Sequence, residues 1–390
     1  MATFNLNIPA GIRFDCSGCG NCCMGWPVPL TPDDVVRLND GMARPLRTKD
    51  RRLQSFTHSL EKRSDGRCAH LTDLNRCGIH EELGPAAKPA MCQLFPYSFT
   101  ETPDGLYAYV SFASSAVLMN SGQPLTEQKD VLLQKWDEFQ RLFPERNRNW
   151  SALQLLDGLP LSWNEYLLME DRLLNIVADR SQPHVSIEKK LSACSAFLIQ
   201  ALPGKANPEQ FPAVEARPRI VDQLILKHLF ALYLPSNVFS DANLDFNARS
   251  LMSEIVQAPN VVSVPDGTDQ MKFQQLIECK LGRFSDDIED LLTRFVYCRI
   301  FAKMYFGPCY GHLSLISGIH HLAFVITLIR LAAKQMKLRK VSVDLVNVAE
   351  ILRTIERRMT QVDLSAEACA AMEVLFTSPS RLQRIAFLAE

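Results

Sequence analysis

Beyond residue 120, apolar residues recur at three- and four-residue spacing, the period of helices with a buried face. The pattern predicts helices over 125–142, 162–178, 186–202 and 221–234. The last 120 residues hold three or four more, including 271–280, 285–306, 312–337 and 343–358. Two Pro-bearing stretches interrupt the pattern. LPGKANPEQFPAVEARP at 202–218 reads as a linker or long loop, and APNVVSVPDGTDQ at 258–270 separates two helical groups. Before residue 120 helix signals are few. Thr31-Pro32-Asp33-Asp34 is a helix start, with Thr31 as N-cap, Pro32 in the first turn and acids at the positive helix end. That helix runs to about Asn39. A second is predicted over Arg51 to Lys62, and residues 95–112 predict a hairpin around the turn Pro103-Asp104-Gly105.

Composition narrows the class. Of 390 residues, 47% are hydrophobic and 22% charged, enough for a globular core. The net charge of -1 gives no global attraction to polyanions, and 17 glycines are few for several phosphate-binding loops. The N-terminus lacks a basic segment followed by an apolar run, so no signal peptide is expected. The most apolar stretch, Leu313 to Ala333, contains His320, His321 and Arg330. Its uninterrupted apolar runs fall short of the roughly 20 residues that span a bilayer, so it reads as a buried core helix. A cytoplasmic protein without a membrane partner is the expectation.

The cysteines carry the chemistry. Seven of twelve lie in the first 92 residues: Cys16, Cys19, Cys22, Cys23, Cys68, Cys77 and Cys92. An even spread would put about three there. In a reducing compartment such a group implies metal rather than disulfides. Each C-x2-C step in Cys16-Ser-Gly-Cys19-Gly-Asn-Cys22-Cys23 curls the backbone so that its thiols face one point, with Gly18 and Gly20 supplying the turn. Neighbouring side chains diverge, so Cys22 and Cys23 seldom share one mononuclear site. One of them binds a second metal, bridges two, or is a free or buried thiol. Cys68-x8-Cys77-x14-Cys92 is the second element. Seven thiols exceed the four of one structural zinc. They suit two metals or an iron–sulfur cluster, and C-x2-C-x2-C is also a [4Fe–4S] spacing. Softness selects Zn2+ or a [4Fe–4S] cluster and does not choose between them. His70 and His80 are candidate ligands or supporting donors, or else ordinary surface histidines. The fold class is therefore mainly α: a small, loop-rich cysteine-cluster metal module with a short β-hairpin, residues 1–120, attached to an all-α helical body, residues 121–390, with a candidate break at 202–218.

CSGCGNCC, LTPDDVVRL, Cys68-Ala-His-Leu and CGIHEELGPAAKPAMCQLFPYSF resemble the CxxCxxCC family of zinc- or iron-chelating proteins over roughly residues 12–112. Where that family has Tyr, this chain has His80, and its Arg-Pro is Lys88-Pro89 after extra residues. The long form with a helical body resembles the flagellin lysine-N-methylases. That resemblance implies a protein lysine N-methyltransferase associated with an iron–sulfur cluster, using S-adenosylmethionine on a flagellin-like protein substrate. No G-x-G-x-x-G follows a strand, so the methyl donor would need an unfamiliar site. The competing expectation is a non-catalytic zinc-binding module whose helical body binds a protein partner. Nucleic acid is not an expected partner, for lack of its recognition motifs. Arg44 to Arg67 carries eight basic and three acidic residues and reads mainly as a solvated face. Of His320 and His321, the expectation is one buried, hydrogen-bonded core histidine. Arg299, Tyr305 and Tyr310 are candidates for a pocket wall, or else for core packing of the tyrosines and a surface ion pair of Arg299.

Overall fold

The computed structural model describes residues 5–16, 18–24, 26–38, 43–46, 53, 55–144, 148–181, 184–204, 217–235, 245–266, 269–361, 364–386 and 388, the side chains of Cys22, Ala43 and Gln361 excepted. Most of the 202–218 stretch therefore lies outside the described residues. The fold is mainly α with short strands. Two compact units are present, one built on residues 1–147 and the other on 148–236, 243–359 and 364–390.

The first unit holds two small sheets. The predicted hairpin is Tyr97–Thr102 paired antiparallel with Gly105–Val110, and Leu6–Asn7 adds a parallel strand to the latter. Alternate residues Phe99, Leu106 and Ala108 face the helix Lys129–Leu142, meeting Leu132, Trp136 and Phe139 in one apolar core. Phe99 meets Trp136 edge-on at 5.5 Å. The second sheet orders Pro29–Leu30, His58–Leu60 and Ala43–Pro45, with His58–Leu60 in the middle. This corrects the helix predicted over Arg51 to Lys62. Ser59 and Leu60 are buried under flanking strands, so tertiary pairing overrides a weak local pattern.

The second unit is helical. Side-chain caps start some of its helices. Ser162 and Glu165 form a reciprocal capping box at Trp163–Ala178, and Ser314 caps Leu315–Leu338. Asp286–Phe301, Leu345–Gln361, Ile187–Gln200 and Ile220–Tyr233 match predicted helices to within a few residues. The 258–270 separator is more ordered than expected. It contributes Ser263–Asp266, which pairs with Asp269–Lys272. Ala366–Phe376 and Pro379–Ala386 are two further helices.

Leu315–Leu338 is long and apolar enough to cross a membrane, and it is the buried helix the sequence suggested, covered on all sides within its unit. Full burial changes the histidine expectation: His320 and His321 are both 0% exposed. A carbonyl only accepts, so His320 Nδ1–H donates to the Phe376 carbonyl. Its Nε2 then accepts from Ser195 Oγ at 2.6 Å. His321 Nε2 meets Tyr233 Oη at 2.8 Å. Tyr310 is buried beside them, its hydroxyl bonded to that of Tyr233, and Tyr305 is buried too. Arg299 is not on the surface. It is 1% exposed and ion-paired with buried Glu356. Arg330 Nη2 pairs with Glu188 Oε1 at 2.7 Å over the Phe284 ring, and Lys303 Nζ pairs with Glu170 Oε2 at 2.9 Å.

Two outcomes follow from these buried groups. Arg330→Met strands the Glu188 carboxylate in the core and costs roughly 3–5 kcal/mol in a urea titration followed by circular dichroism. Burial pushes His320 down to about 4 and His321 to about 3. Between those values and the ordinary 6.5 the unfolded chain binds more protons than the folded one, so stability rises with pH across that window. The urea midpoint should fall from pH 6.5 towards pH 4, and His320→Gln should flatten part of that slope.

Candidate metal centre

The knuckle around Cys16–Cys23 is shaped by glycine. Gly20 has φ +68°, and a Cβ there would lie 2.2 Å from the Asn75 carbonyl oxygen, so only glycine fits. Gly20 leads into the short 3-10 turn Asn21–Cys23, closed by Cys23 N–H donating to the Gly20 carbonyl at 2.9 Å. Asn75 sits against this turn. Its Nδ2 donates to the Cys19 carbonyl at 2.7 Å and to Asn21 Oδ1 at 3.2 Å. The second cysteine element is thus tied to the first. Cys68 N–H donates to the Cys23 carbonyl at 3.1 Å, and Lys62 Nζ donates to the same carbonyl at 2.9 Å. Cys77 precedes the helix Gly78–Leu83 as its N-cap, and Cys92 lies in Ala90–Leu94.

Asp34 fixes the Cys92 side. Thr31 and Asp34 cap each other at the start of Pro32–Leu38, N–H to side-chain oxygen at 3.1 Å in both directions. The same carboxylate, 2% exposed, accepts Ala90 N–H at 3.2 Å at the start of the Cys92 helix. It also accepts from Arg37 at 2.6 Å, and Arg37 donates on to the Ala86 and Lys88 carbonyls, both at 3.0 Å. One buried carboxylate therefore serves two helix N-termini, where negative charge is favoured.

These segments enclose a cavity. Its walls are Cys16, Cys19, Cys23, Cys77 and Cys92, with Phe14, Trp26, Val28, Phe95 and Ala116 as an apolar side and Lys88 and Ser114 as polar groups. It offers about 70 Å³ to water-sized bodies, one of which needs roughly 10–15 Å³. Cys68 is not on the wall. It is 6% exposed and packs in the core with Leu60, Leu71 and Ile79. The Cys22 side chain lies outside the described residues. Among those described, no three Cys, His, Asp or Glu side chains come close enough to chelate one ion. Five cysteines share the lining of one cavity without forming such a group.

Burial raises the Cys68 thiol pKa. It also raises that of Cys92, helped by the nearby Cys68 and Cys77 thiols and opposed by Lys62 and Lys88. His70 is partly buried, held below the usual imidazole range by desolvation, and its Nε2 is buried without a hydrogen-bond partner. Neither His70 nor His80 lines the cavity. The described arginines of the basic run, Arg44, Arg63 and Arg67, are exposed, as a solvated face requires. Residues 47–52 and 54 lie outside the described set, but Arg44 pairs with Glu61 at 3.0 Å, Arg67 with Asp65 at 3.2 Å, and Arg63 donates to the Ala69 and Leu71 carbonyls. Sequence reasoning missed Asp34, Asn75, Trp26 and Phe95 as parts of the site. The capping pattern at Thr31 flagged Asp34 only as a local helix acid.

Fold and site define a mainly helical protein with a cysteine-walled N-terminal unit. Residues 15–115 match the CxxCxxCC family, described as a "Putative zinc- or iron-chelating domain". The chain is also similar to the uncharacterized protein MJ0939 of Methanocaldococcus jannaschii, 25% identical over 163 residues, which are 40% of this chain and 56% of that protein. The chain thus spans about half the length of this curated relative. No solved structure matches it significantly.

The knuckle gives a direct test. Gly20→Ala forces both a positive-φ strain and a backbone clash with Asn75. It should lower the thermal midpoint and the bound metal together, measured by calorimetry and by elemental analysis of the same sample. Asp34→Ala leaves Ala90 N–H and Arg37 without their buried acceptor. A loss of roughly 2–4 kcal/mol in denaturant unfolding is expected.

Proposed function

We propose that the cysteine-walled cavity holds an iron–sulfur cluster, and that this centre is what the N-terminal unit is built around. The observation that carries the reading is that five cysteines line one cavity with more space than one ion needs. A single tetrahedral zinc draws four ligands onto one point at about 2.3 Å. A polynuclear cluster meets its thiolates at separate corners, and an apolar wall such as Trp26, Phe95 and Phe14 keeps it dry. Cys16, Cys19, Cys23, Cys77 and Cys92 would supply the ligands, and the soft donor set fits the group. Bound there, the cluster would supply redox or Lewis-acid chemistry.

For the activity, we extend the resemblance to the long form: methylation of lysines on a flagellin-like protein with S-adenosylmethionine as donor. The described residues contain sheets of two or three strands, not the doubly wound sheet that binds nucleotide-like ligands at its switch point. The donor site in this reading is therefore the cavity itself. Electron paramagnetic resonance of the reduced protein with and without S-adenosylmethionine tests it, and an unchanged spectrum overturns it.

The cluster has its own test. Anaerobically purified protein should be brown and carry about four irons per chain. Colourless protein with one or two zincs would replace the cluster by a structural zinc site and favour a non-catalytic module. Cys77→Ser should lose most of the metal, because Cys77 faces the cavity. Cys68→Ala should keep it and lose stability instead, since Cys68 faces the core.

A further inference from the structure

Besides its thiols, the cavity wall carries one other readily ionisable group among the described residues, the ammonium of Lys88. No carboxylate lines it. Among the described residues the Lys88 side chain makes no ion pair or hydrogen bond. Its backbone is nevertheless held firmly. The Lys88 carbonyl accepts from Arg37 at 3.0 Å and from Gln93 Nε2 at 2.7 Å, and its N–H donates to the Pro85 carbonyl at 3.3 Å. Pro89 follows, and Ala90 N–H is fixed by Asp34. A cation with no partner among the described residues, on a braced backbone and near enough to Cys92 to lower its thiol pKa, is placed to meet whatever negative charge the wall's thiols acquire.

Any centre bound by four thiolates is anionic, whether it holds Zn2+ or a [4Fe–4S] core. We propose that Lys88 is the charge-compensating residue of the centre, stabilising it electrostatically without ligating it. This rests on the reading that the cavity holds a thiolate-bound metal. Lys62, its Nζ pinned to the Cys23 carbonyl, adds a second cation near Cys92. For a cluster, reduction adds one more negative charge, so a nearby cation favours the reduced form and raises the potential. For zinc, the same cation slows the loss of metal.

The test uses the full-length protein purified anaerobically, as wild type, Lys88→Met and Lys88→Arg. Metal content is read first. Wild-type protein without metal removes the underlying reading, and the proposal with it. If iron is present, potentiometric titration of Lys88→Met at wild-type iron content should show an oxidised-to-reduced ratio about tenfold higher at fixed potential. That is a midpoint about 59 mV lower for a one-electron couple, with Lys88→Arg near wild type. If zinc is present, transfer to a chromogenic chelator should be roughly tenfold faster in Lys88→Met and restored in Lys88→Arg, within the range seen for supporting groups around metal sites. An unchanged potential or transfer rate in fully loaded Lys88→Met overturns the proposal. So does a Lys88→Arg variant that behaves like Lys88→Met, because side-chain packing would then be responsible.

Discussion

Thiols gathered around one largely apolar cavity cannot all ionise unless positive charge sits among them. Each thiolate is opposed by desolvation and by its neighbours, as the raised Cys92 thiol illustrates. The rest of the N-terminal unit follows from that constraint. Among the described residues two lysines lie near the sulfurs, no carboxylate lines the cavity, and apolar side chains make up much of its wall. A metal bound there would supply the charge that makes several thiolates compatible, and its binding energy would then become folding energy for a unit whose described sheets are three strands wide. The apolar core beneath, with Cys68 among Leu60, Leu71 and Ile79, gives the thiols a floor without supplying that charge.

Holding the thiols apart around a cavity needs rigidity that short elements do not have by themselves. The chain obtains it by making single groups serve two segments. The Cys23 carbonyl accepts both Cys68 N–H and Lys62, which locks the first cysteine element to the second. Asp34 caps one helix and anchors the start of another, so the position of Cys92 depends on a residue 58 positions earlier in the sequence. Asn75 fills the space that Gly20 leaves by having no side chain. Ligand placement is therefore coupled: a disturbance at any of these three joints moves cysteines on both sides of the cavity.

Much of this was legible in the sequence because it was local. The helical period of the second unit, the Thr31 cap, the Pro103-Asp104-Gly105 hairpin and the crowding of cysteines into 92 residues all concern neighbours in the chain. What escaped was long-range. The strand His58–Leu60 is three residues long and sits beside a basic run, so no periodicity could announce it. The division of the cysteines into Cys77 and Cys92 on the wall and Cys68 in the core depends on which face each short element turns inward. The rule that only one of two adjacent helical residues faces inward failed at His320 and His321, because Leu315–Leu338 has no outward face for most of its length.

That last failure has a counterpart in charge. On a helix buried for most of its length an unpaired charge is costly, and Arg330 is neutralised by Glu188, while burial instead pushes Lys334 down to about 8. Lys303 with Glu170 and Arg299 with Glu356 repeat the arrangement on the segment just before it. Such pairs add little net stability over apolar packing but penalise any register that separates the partners. The helical unit pairs several of its buried cations, Arg299, Lys303, Arg330 and Arg384, with carboxylates inside the chain, while Arg358 donates to the Leu232 carbonyl and Lys334 is buried near Cys279. In the cysteine unit Lys88 shares a cavity wall with several cysteines, whose thiols become its partners only when they are ionised, and a cation placed among thiols rather than carboxylates is what suits a site to an anionic centre.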